Sequence, residues 1–333
     1  MDPDQTGYIK GRFIGENARL IEDVLRYTQT ANISGVIMFL DFSKAFDSID
    51  KQYMMATLKL LNFGPSFIKW VETLYNDISS CITHNGHVSK FFPIDKGVRQ
   101  GCPLSALLFV LCIEVLAMKV RQDENIEGIK LPFISYQKNE AKILLYADDI
   151  TMFLKNEDQI NKVIAVLDKF KTISGLSLNQ TKTEAIWIGS NSLRRDTFGE
   201  LKWKLYPNNK VKALGITFSS TTSASKINEN WEIKVDSIKS IIEAWKYRQL
   251  SMVGKILIVK SLMASQLTYI SSVIILPEHV ITQLNSLFHK FVWNKGERVK
   301  RKTLMLNYNQ GGLRMVDLKS FLYSLQMSWV KNC

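Results

Sequence analysis

The sequence predicts an α+β protein: an antiparallel sheet backed by helices on one face, followed by an all-helical tail. Three observations predict it. Short apolar runs rich in strand formers alternate with stretches of helical spacing up to about residue 218. The apolar run at 143–154 (ILLYADDITMFL) is interrupted by Ala147-Asp148-Asp149, so its halves read as two strands joined by a tight turn, since Asp is depleted within strands. Beyond a Ser/Thr-rich stretch at 219–225, helical periodicity with interleaved Lys, Trp and Tyr runs over 226–293, which places a domain boundary at the Ser/Thr run.

Each element follows from local chemistry. Residues 5–15 carry Gly, Lys and Arg and read as a loop, whereas 18–27 places Leu20, Ile21, Val24 and Leu25 at helical spacing. Residues 36–40 (VIMFL) are apolar at every position and follow Gly35, the pattern of a strand buried on both faces, which ends at Asp41. Residues 42–47 turn into a helix expected over 51–61, and Gly64-Pro65 separates it from an amphipathic helix over 66–75. Residues 80–83 and 88–92 flank His84-Asn85-Gly86-His87, and Asn-Gly between two β-like runs specifies a hairpin. Residues 97–101 form a polar loop, and Pro103, favoured in a first helical turn, opens an apolar helix to Val120. After the 143–154 hairpin, 159–170 has helical spacing with a stop at Gly175, and 185–188 and 211–218 read as a last pair of strands.

Composition narrows the function classes. At 333 residues there is room for two domains, or for a catalytic core with an appended helical piece. A hydrophobic share of 46% with 22% charged residues is that of a globular protein with a sizeable core. Lys and Arg number 43 against 31 Asp and Glu, a net charge of +12 that favours a polyanionic partner such as nucleic acid. Cys81, Cys102, Cys112 and Cys333 show no Cys-x-x-Cys spacing, which argues against a zinc site or disulfide framework and fits a reducing compartment. The start, Met-Asp-Pro-Asp-Gln, lacks a signal peptide, and the apolar stretch 104–118 contains Glu114 and is too short to span a bilayer. The expectation is a soluble intracellular protein of the cytoplasm or nucleus, with no membrane partner.

Two adjacent carboxylates at a hairpin tip repel one another unless a cation holds them, and Mg²⁺ is bound through one or two carboxylates plus substrate phosphates. An ordinary surface turn is the alternative reading of Asp148-Asp149. Asp41 bears on the choice because it also closes a buried strand. If 36–40 lies beside the hairpin, three carboxylates meet at one sheet edge and could hold two divalent ions for in-line phosphoryl or nucleotidyl transfer. Otherwise Asp41 caps the helix that follows. Residues 97–105 (GVRQGCPLS) add a Gly-bounded turn before a helix N-terminus, where backbone can approach an anion and Arg99 and Gln100 can reach phosphate, sugar or base.

These stretches occur in an order that carries a resemblance. VIMFLDFSKAFD at 36–47, RQGCPLSALLF at 99–109, LLYADDITMF at 144–153, GLSLNQTKTE at 175–184 and ALGITF at 213–218 resemble the successive palm motifs of reverse transcriptases of non-LTR (LINE-type) retrotransposons. QTGYIKGR at 5–12 and ENARLI at 16–21 resemble the end of that family's fingers, and LSMVGKILIVKSLMASQLTY at 250–269 with FVWN at 291–294 resembles the helices after its palm. The resemblance implies a right-hand polymerase palm with partial fingers (1–34), a palm (35–218) with a finger-like insertion at about 51–97, and a helical thumb or connection (219–333). Residue 106 is Ala where the family often has Pro.

The resemblance also implies roles. Asp41, Asp148 and Asp149 match the catalytic aspartates, with Asp41, Asp148 and the main-chain carbonyl of Phe42 as metal ligands and Asp149 less directly bound. Ser43, Lys44 and Ala45 belong to the same nucleotide-lining segment. Phe46 matches the aromatic position beneath the sugar, where a ring excludes a 2′-hydroxyl; a plain core role is the alternative, and both are compatible. Arg99, Gln100 and Gly101 line the incoming nucleotide and template base. Lys182 falls where a lysine protonates the leaving pyrophosphate, although it also reads as a solvated surface lysine. Lys10 and Arg12 would clamp triphosphate or template. Tyr146, Arg248, Lys255 and Lys260, with Trp231, Trp245, Lys246 and Tyr247, would contact the template–primer duplex, unless the aromatics only pack helices.

The function expected is therefore RNA-directed DNA synthesis from deoxynucleoside triphosphates on an RNA template and DNA primer, with two Mg²⁺ for which Mn²⁺ substitutes. The upstream triphosphate-binding strands of the fingers are absent from the sequence, as are the family's endonuclease and Cys/His-rich regions. A fragment of a retroelement polyprotein, or a truncated gene copy, is expected on that ground. The alternatives are a catalytically deficient remnant that only binds RNA or an RNA–DNA hybrid, and an RNA-making polymerase, which Phe46 disfavours.

Overall fold

Apolar spacing and turn chemistry produce two units, Met1–Leu214 and Gly215–Cys333, in the computed structural model. It describes residues 1–132, 140–199, 201–221, 224–293, 296 and 299–332. The first unit opens with helix α1 (Ile14–Thr30), strand β1 (Gly35–Leu40), the single turn α2 (Ala45–Ser48), and helices α3 (Lys51–Leu60) and α4 (Pro65–Tyr75). Four two-residue strands follow, β2 (Ser79–Ser80), β3 (Thr83–His84), β4 (His87–Val88) and β5 (Phe92–Pro93), and then the long helix α5 (Pro103–Gln122). Strands β6 (Ile129–Lys130) and β7 (Glu140–Ala141) precede the hairpin β8 (Ile143–Tyr146) and β9 (Asp149–Leu154). Helix α6 (Asp158–Ser174) and strands β10 (Glu184–Ile188), β11 (Lys202–Trp203) and β12 (Lys210–Ala213) complete the unit.

Five strands form one sheet in the order β11-β10-β1-β9-β8. β1 is central and antiparallel to both neighbours, with Gly35 opposite Ile188 and Leu40 opposite Ile150. Because strand side chains alternate, Val36, Met38 and Leu40 enter the main core with Met54 and Leu58 of α3, Phe109 and Ile113 of α5, and Val163 and Leu167 of α6. Ile37 faces the other way and is also fully buried, as are Phe153 and Ile186. That second face is covered by α1, which reaches β8 and β10 and buries Ala18, Ile21 and Val24. The expectation of helices on one face is thus corrected: a strand apolar at every position has two faces to bury.

Two further differences have local causes. The sheet is mixed rather than antiparallel, since β11 runs parallel to β10 and seats Trp203 on Trp187 with ring centroids 4.4 Å apart. Residues 211–218 are not one strand, because Leu214 and Gly215 both adopt positive φ and separate β12 from the next strand. The Asn-Gly hairpin forms as expected: β3 pairs with β4, and Asn85 and Gly86 have φ of 47° and 81°.

By length and composition α5 and the stretch Met252–Val273 could each cross a membrane, so the expectation that 104–118 is too short is corrected by a longer helix. Half or more of each is buried inside the structure. On α5, the nearly buried Glu114 carboxylate accepts a hydrogen bond from Arg121, whose guanidinium also lies 3.5 Å from Asp2 and 3.6 Å from Asp4. This is the paired state that a buried acid requires.

The second unit consists of β13 (Ile216–Ser219) and helices α7 (Ala224–Trp245), α8 (Met252–Ile258), α9 (Ser265–Val273), α10 (Glu278–Trp293), α11 (Arg301–Met305) and α12 (Leu318–Met327). A π-helical turn, Val259–Ala264, joins α8 to α9, and the Ser251 hydroxyl caps α8 by accepting from the Gly254 amide. Asn230 of α7 grips β13 through both amide atoms, its Oδ1 accepting from Thr217 N at 2.9 Å and its Nδ2 donating to Thr217 O at 2.8 Å. Trp231, Ile238, Met263, Leu267, Leu284 and Phe288 form its core. Of FVWN, Asn294 lies outside the described residues.

Candidate active site

β1 ends at Asp41 beside the start of β9, because the Leu40–Ile150 pair makes the next positions of the two strands Asp41 and Asp149. Asp148 occupies the hairpin turn with Ala147, a non-glycine residue at φ 55°. Both hairpin aspartates are solvent-exposed, and Tyr146 pairs with Asp149 across the hairpin. Although Asp149 is exposed as a residue, the protein shields part of its carboxyl from water, and that desolvation, then the negative charges of Asp148 and Asp41, push its pKa above the ordinary carboxylate range. The three aspartates therefore share one electrostatic neighbourhood. Among the described residues, no three His, Cys, Asp or Glu side chains are gathered into a ligand set. A divalent cation nevertheless fits the chemistry of the edge: three hard oxygen donors that repel one another and are relieved by positive charge.

The Asp149 shift has a thermodynamic sign. Its folded pKa lies above the unfolded value of 3.8, so its contribution is most favourable at low pH and is lost as pH rises from about 3.8 through the raised folded value. A bound cation opposes that loss. We expect a divalent metal to raise the unfolding free energy at pH 7 by about 1.4 kcal/mol at tenfold excess over Kd, and to have little effect near pH 4. Calorimetry across that range checks it, and a metal effect that does not grow with pH counts against the cluster.

The loop before α5 is tied to the segment after β1. Val98 N donates to Phe46 O at 2.7 Å, Gly97 N to Ile49 O at 2.7 Å, and Gln100 Nε2 to Asp47 Oδ1 at 3.0 Å. Gly97 has φ of 87°, and a Cβ there would stand 2.7 Å from the Asp47 Cα, so the close approach requires glycine. Gly101 also has positive φ, and Arg99 and Gln100 are exposed. On the other side of the segment, Ser43 N donates to Ser177 O, Phe42 bridges Leu178, and the Asp41 carbonyl accepts from Asn179 N at 2.8 Å. Asp41 N donates to Thr183 Oγ1 at 3.3 Å, so the loop carrying the exposed Lys182 is anchored at Asp41 itself. Phe42 and Ala45 are buried, Lys44 is exposed at φ 46°, and Phe46 is half-buried with its ring stacked 4.4 Å from Phe109. Asp41, Phe42, Phe46, Arg99, Gln100, Asp148, Asp149 and Lys182 thus come from parts of the chain that the structure links at one end of the sheet.

The N-terminal segment is the expected loop, but it is pinned along the sheet edge. Thr6 N donates to Leu145 O at 3.0 Å, Leu145 N to Asp4 O at 2.9 Å, and Asn17 Nδ2 to Leu145 O at 2.8 Å, so residues 4–6 line the outer edge of β8. Arg12 donates to the carbonyls of Met1, Asp2 and Gln5, which occupies the guanidinium with its own segment; Lys10 is exposed. These polar backbone contacts leave no hydrophobic period to read. A Cβ at Gly7 would come within 2.4 Å of Ala147 N, so Gly7→Ala must displace the turn that carries Asp148. We expect primer extension to fall on the order of 10²-fold, with dissolved secondary structure content unchanged by circular dichroism. Wild-type extension would show that the turn tolerates the shift.

In the second unit Trp231 is buried and leaves the expected nucleic-acid set. Arg248 lies 4.3 Å over the Trp245 ring, Lys246 is 4.8 Å from the ring of the exposed Tyr247, and Lys260 is exposed on the π-helical turn. Lys255 is half-buried, its Nζ donating to Val292 O at 3.2 Å.

A sheet edge with three carboxylates, flanked by a Gly-bounded loop at a helix N-terminus, is the arrangement of a polymerase palm. The chain belongs to the reverse transcriptase (RNA-dependent DNA polymerase) family, which matches residues 1–218. It is 25% identical over 338 residues to the Transposon TX1 uncharacterized 149 kDa protein of Xenopus laevis, covering 99% of this chain and 25% of that protein. It is 27% identical over 229 residues to the Retrovirus-related Pol polyprotein from type-2 retrotransposable element R2DM of Drosophila melanogaster, covering 66% of this chain and 21% of that protein. The resemblance to polymerases of non-LTR retrotransposons is borne out, and the chain spans about a quarter of the length of these relatives. Among solved structures, telomerase from Candida albicans in complex with a fragment of telomeric RNA aligns with a TM-score of 0.49 at 11% identity, over 94% of this chain and 47% of that one.

Proposed function

We propose that the chain synthesises DNA on an RNA template, joining deoxynucleoside triphosphates to a primer 3′-hydroxyl with two Mg²⁺ ions, for which Mn²⁺ substitutes. The observation that carries this reading is the register of β1 on β9, which sets Asp41 beside Asp149 and within electrostatic reach of the hairpin turn. The ions, when bound, lower the pKa of the attacking hydroxyl and neutralise the pyrophosphate.

The residues divide the remaining work. Asp41, Asp148 and the Phe42 carbonyl would hold the ions, and Asp149 would add negative charge to the site. Ser43, Lys44 and Ala45 line the triphosphate, and the Phe46 ring sits under the sugar and rejects a 2′-hydroxyl. Arg99, Gln100 and Gly101 position nucleotide and template base, with Gln100 oriented by its bond to Asp47. Lys182 holds a proton on Nζ for the departing pyrophosphate. Lys10 faces the triphosphate or template, and Tyr146, Arg248, Lys255 and Lys260 bind template and primer. In this reading 1–34 are partial fingers, 35–218 the palm and 219–333 the thumb, working in the cytoplasm or nucleus.

The test is extension of oligo-dT on poly-rA with dTTP and Mg²⁺. Extension that stops on chelation and resumes with Mg²⁺ or Mn²⁺ supports the reading. Tight binding of the hybrid without extension would replace it with a non-catalytic RNA-binding role.

A further inference from the structure

We infer that Gln5 is a positioning residue that holds the Asp148–Asp149 turn in its working shape. The inference rests on the proposed reaction. Gln5 is completely buried, and its Oε1 accepts two backbone bonds, from Gly7 N at 2.8 Å and from Ala147 N at 3.3 Å. Both partners are N–H groups, which fixes the oxygen as the atom that faces them. Its Nε2 is buried without a partner, so the polar work of this side chain falls on Oε1.

Ala147 is the residue that needs such a clasp. It sits between Tyr146 and Asp148 at φ 55°, a left-handed conformation that a Cβ disfavours and that persists where the surroundings over-determine it. Gln5 binds its amide from outside the hairpin. Gln5 is itself fixed, because the flanking residues pair with both backbone groups of Leu145, two positions before Ala147. Asn17 reaches the same Leu145 carbonyl, and Arg12 ties down the Gln5 carbonyl. The chain thus runs from a hydrogen-bonded N-terminal segment through one side-chain oxygen to the amide next to Asp148. This is how an outer layer of hydrogen bonds orients groups that hold a metal, and loss of such a partner costs about 10- to 100-fold in activity or metal affinity.

Gln5→Met keeps the length and bulk of the side chain and removes the acceptor; Gln5→Glu keeps an acceptor oxygen. In extension of oligo-dT on poly-rA, Gln5→Met is expected to lower kcat about 10- to 100-fold with KM for dTTP changed by less than about threefold, and Gln5→Glu to recover most of the loss. A role in packing alone would spare kcat in Gln5→Met. Wild-type kcat in that variant overturns the inference and leaves the reaction standing. If the wild-type chain extends no primer, the proposed reaction fails, and Mn²⁺ titration followed by electron paramagnetic resonance decides Gln5: weaker binding by Gln5→Met supports the clasp, and equal binding overturns it. Should Gln5→Met not fold, hydrogen exchange in the wild type decides, since an Ala147 amide that exchanges as fast as an open turn is not held by Gln5.

Discussion

Asp148→Ala is expected to reduce primer extension by at least 10²- to 10³-fold, about 2.7–4 kcal/mol of lost transition-state stabilisation. Asp148 is exposed in the hairpin turn and belongs to no core cluster, so its removal opens no cavity. It also raises the Asp149 pKa by like-charge repulsion, and the substitution relieves that repulsion. The metal-free variant should therefore unfold at a temperature equal to or above that of the wild type. Lost activity with retained stability is the signature of a residue kept for chemistry at some cost to the fold. Extension within tenfold of the wild type would remove Asp148 from the mechanism, and a fall in activity that tracks a fall in unfolding midpoint would reassign it to the fold.

Phe46→Val should change which sugar is accepted. The ring is half-buried, stacks on Phe109 at 4.4 Å, and lies on the one-turn helix whose backbone receives the Gly97–Gly101 loop. Replacing it opens space on the exposed side and removes an aromatic pair worth about 0.5–1.5 kcal/mol beyond its buried area. We expect incorporation of ribonucleotides relative to deoxynucleotides to rise on the order of 10- to 100-fold, the scale at which a steric contact discriminates between substrates. Paired single-nucleotide incorporation assays with dTTP and UTP measure it. A variant that is less stable yet equally selective would make Phe46 a packing residue only.

Much of the site was legible because charge interrupts hydrophobicity there. Asp41 and Asp148-Asp149 stand out as carboxylates in or at the end of buried runs, and strand burial then brings them to one edge. The uninterrupted apolar run at 36–40 announced a strand buried twice over, though not that α1 is what covers its second face. Asn85-Gly86 declared its own turn. What escaped reading is held by backbone hydrogen bonds and by contacts distant in sequence. The pairing of Asp4 and Thr6 with Leu145, the parallel docking of β11 through Trp187 and Trp203, and the bond from Gln100 to Asp47 leave no periodic trace in the residues that make them. The full burial of Trp231 is the helix-packing alternative that the sequence held open, since an aromatic on an amphipathic helix reads the same facing a core or a ligand.

The polar N-terminal stretch also has a colloidal consequence. β8 is the last strand of its sheet, and an uncovered sheet edge is a template on which a second chain can add a strand. Asp4 and Thr6 occupy both backbone groups of Leu145, and carboxylates at Asp2 and Asp4 paired with Arg121 crowd the same margin with charge. The segment that braces the hairpin from outside is in this way also its guard against intermolecular β-pairing.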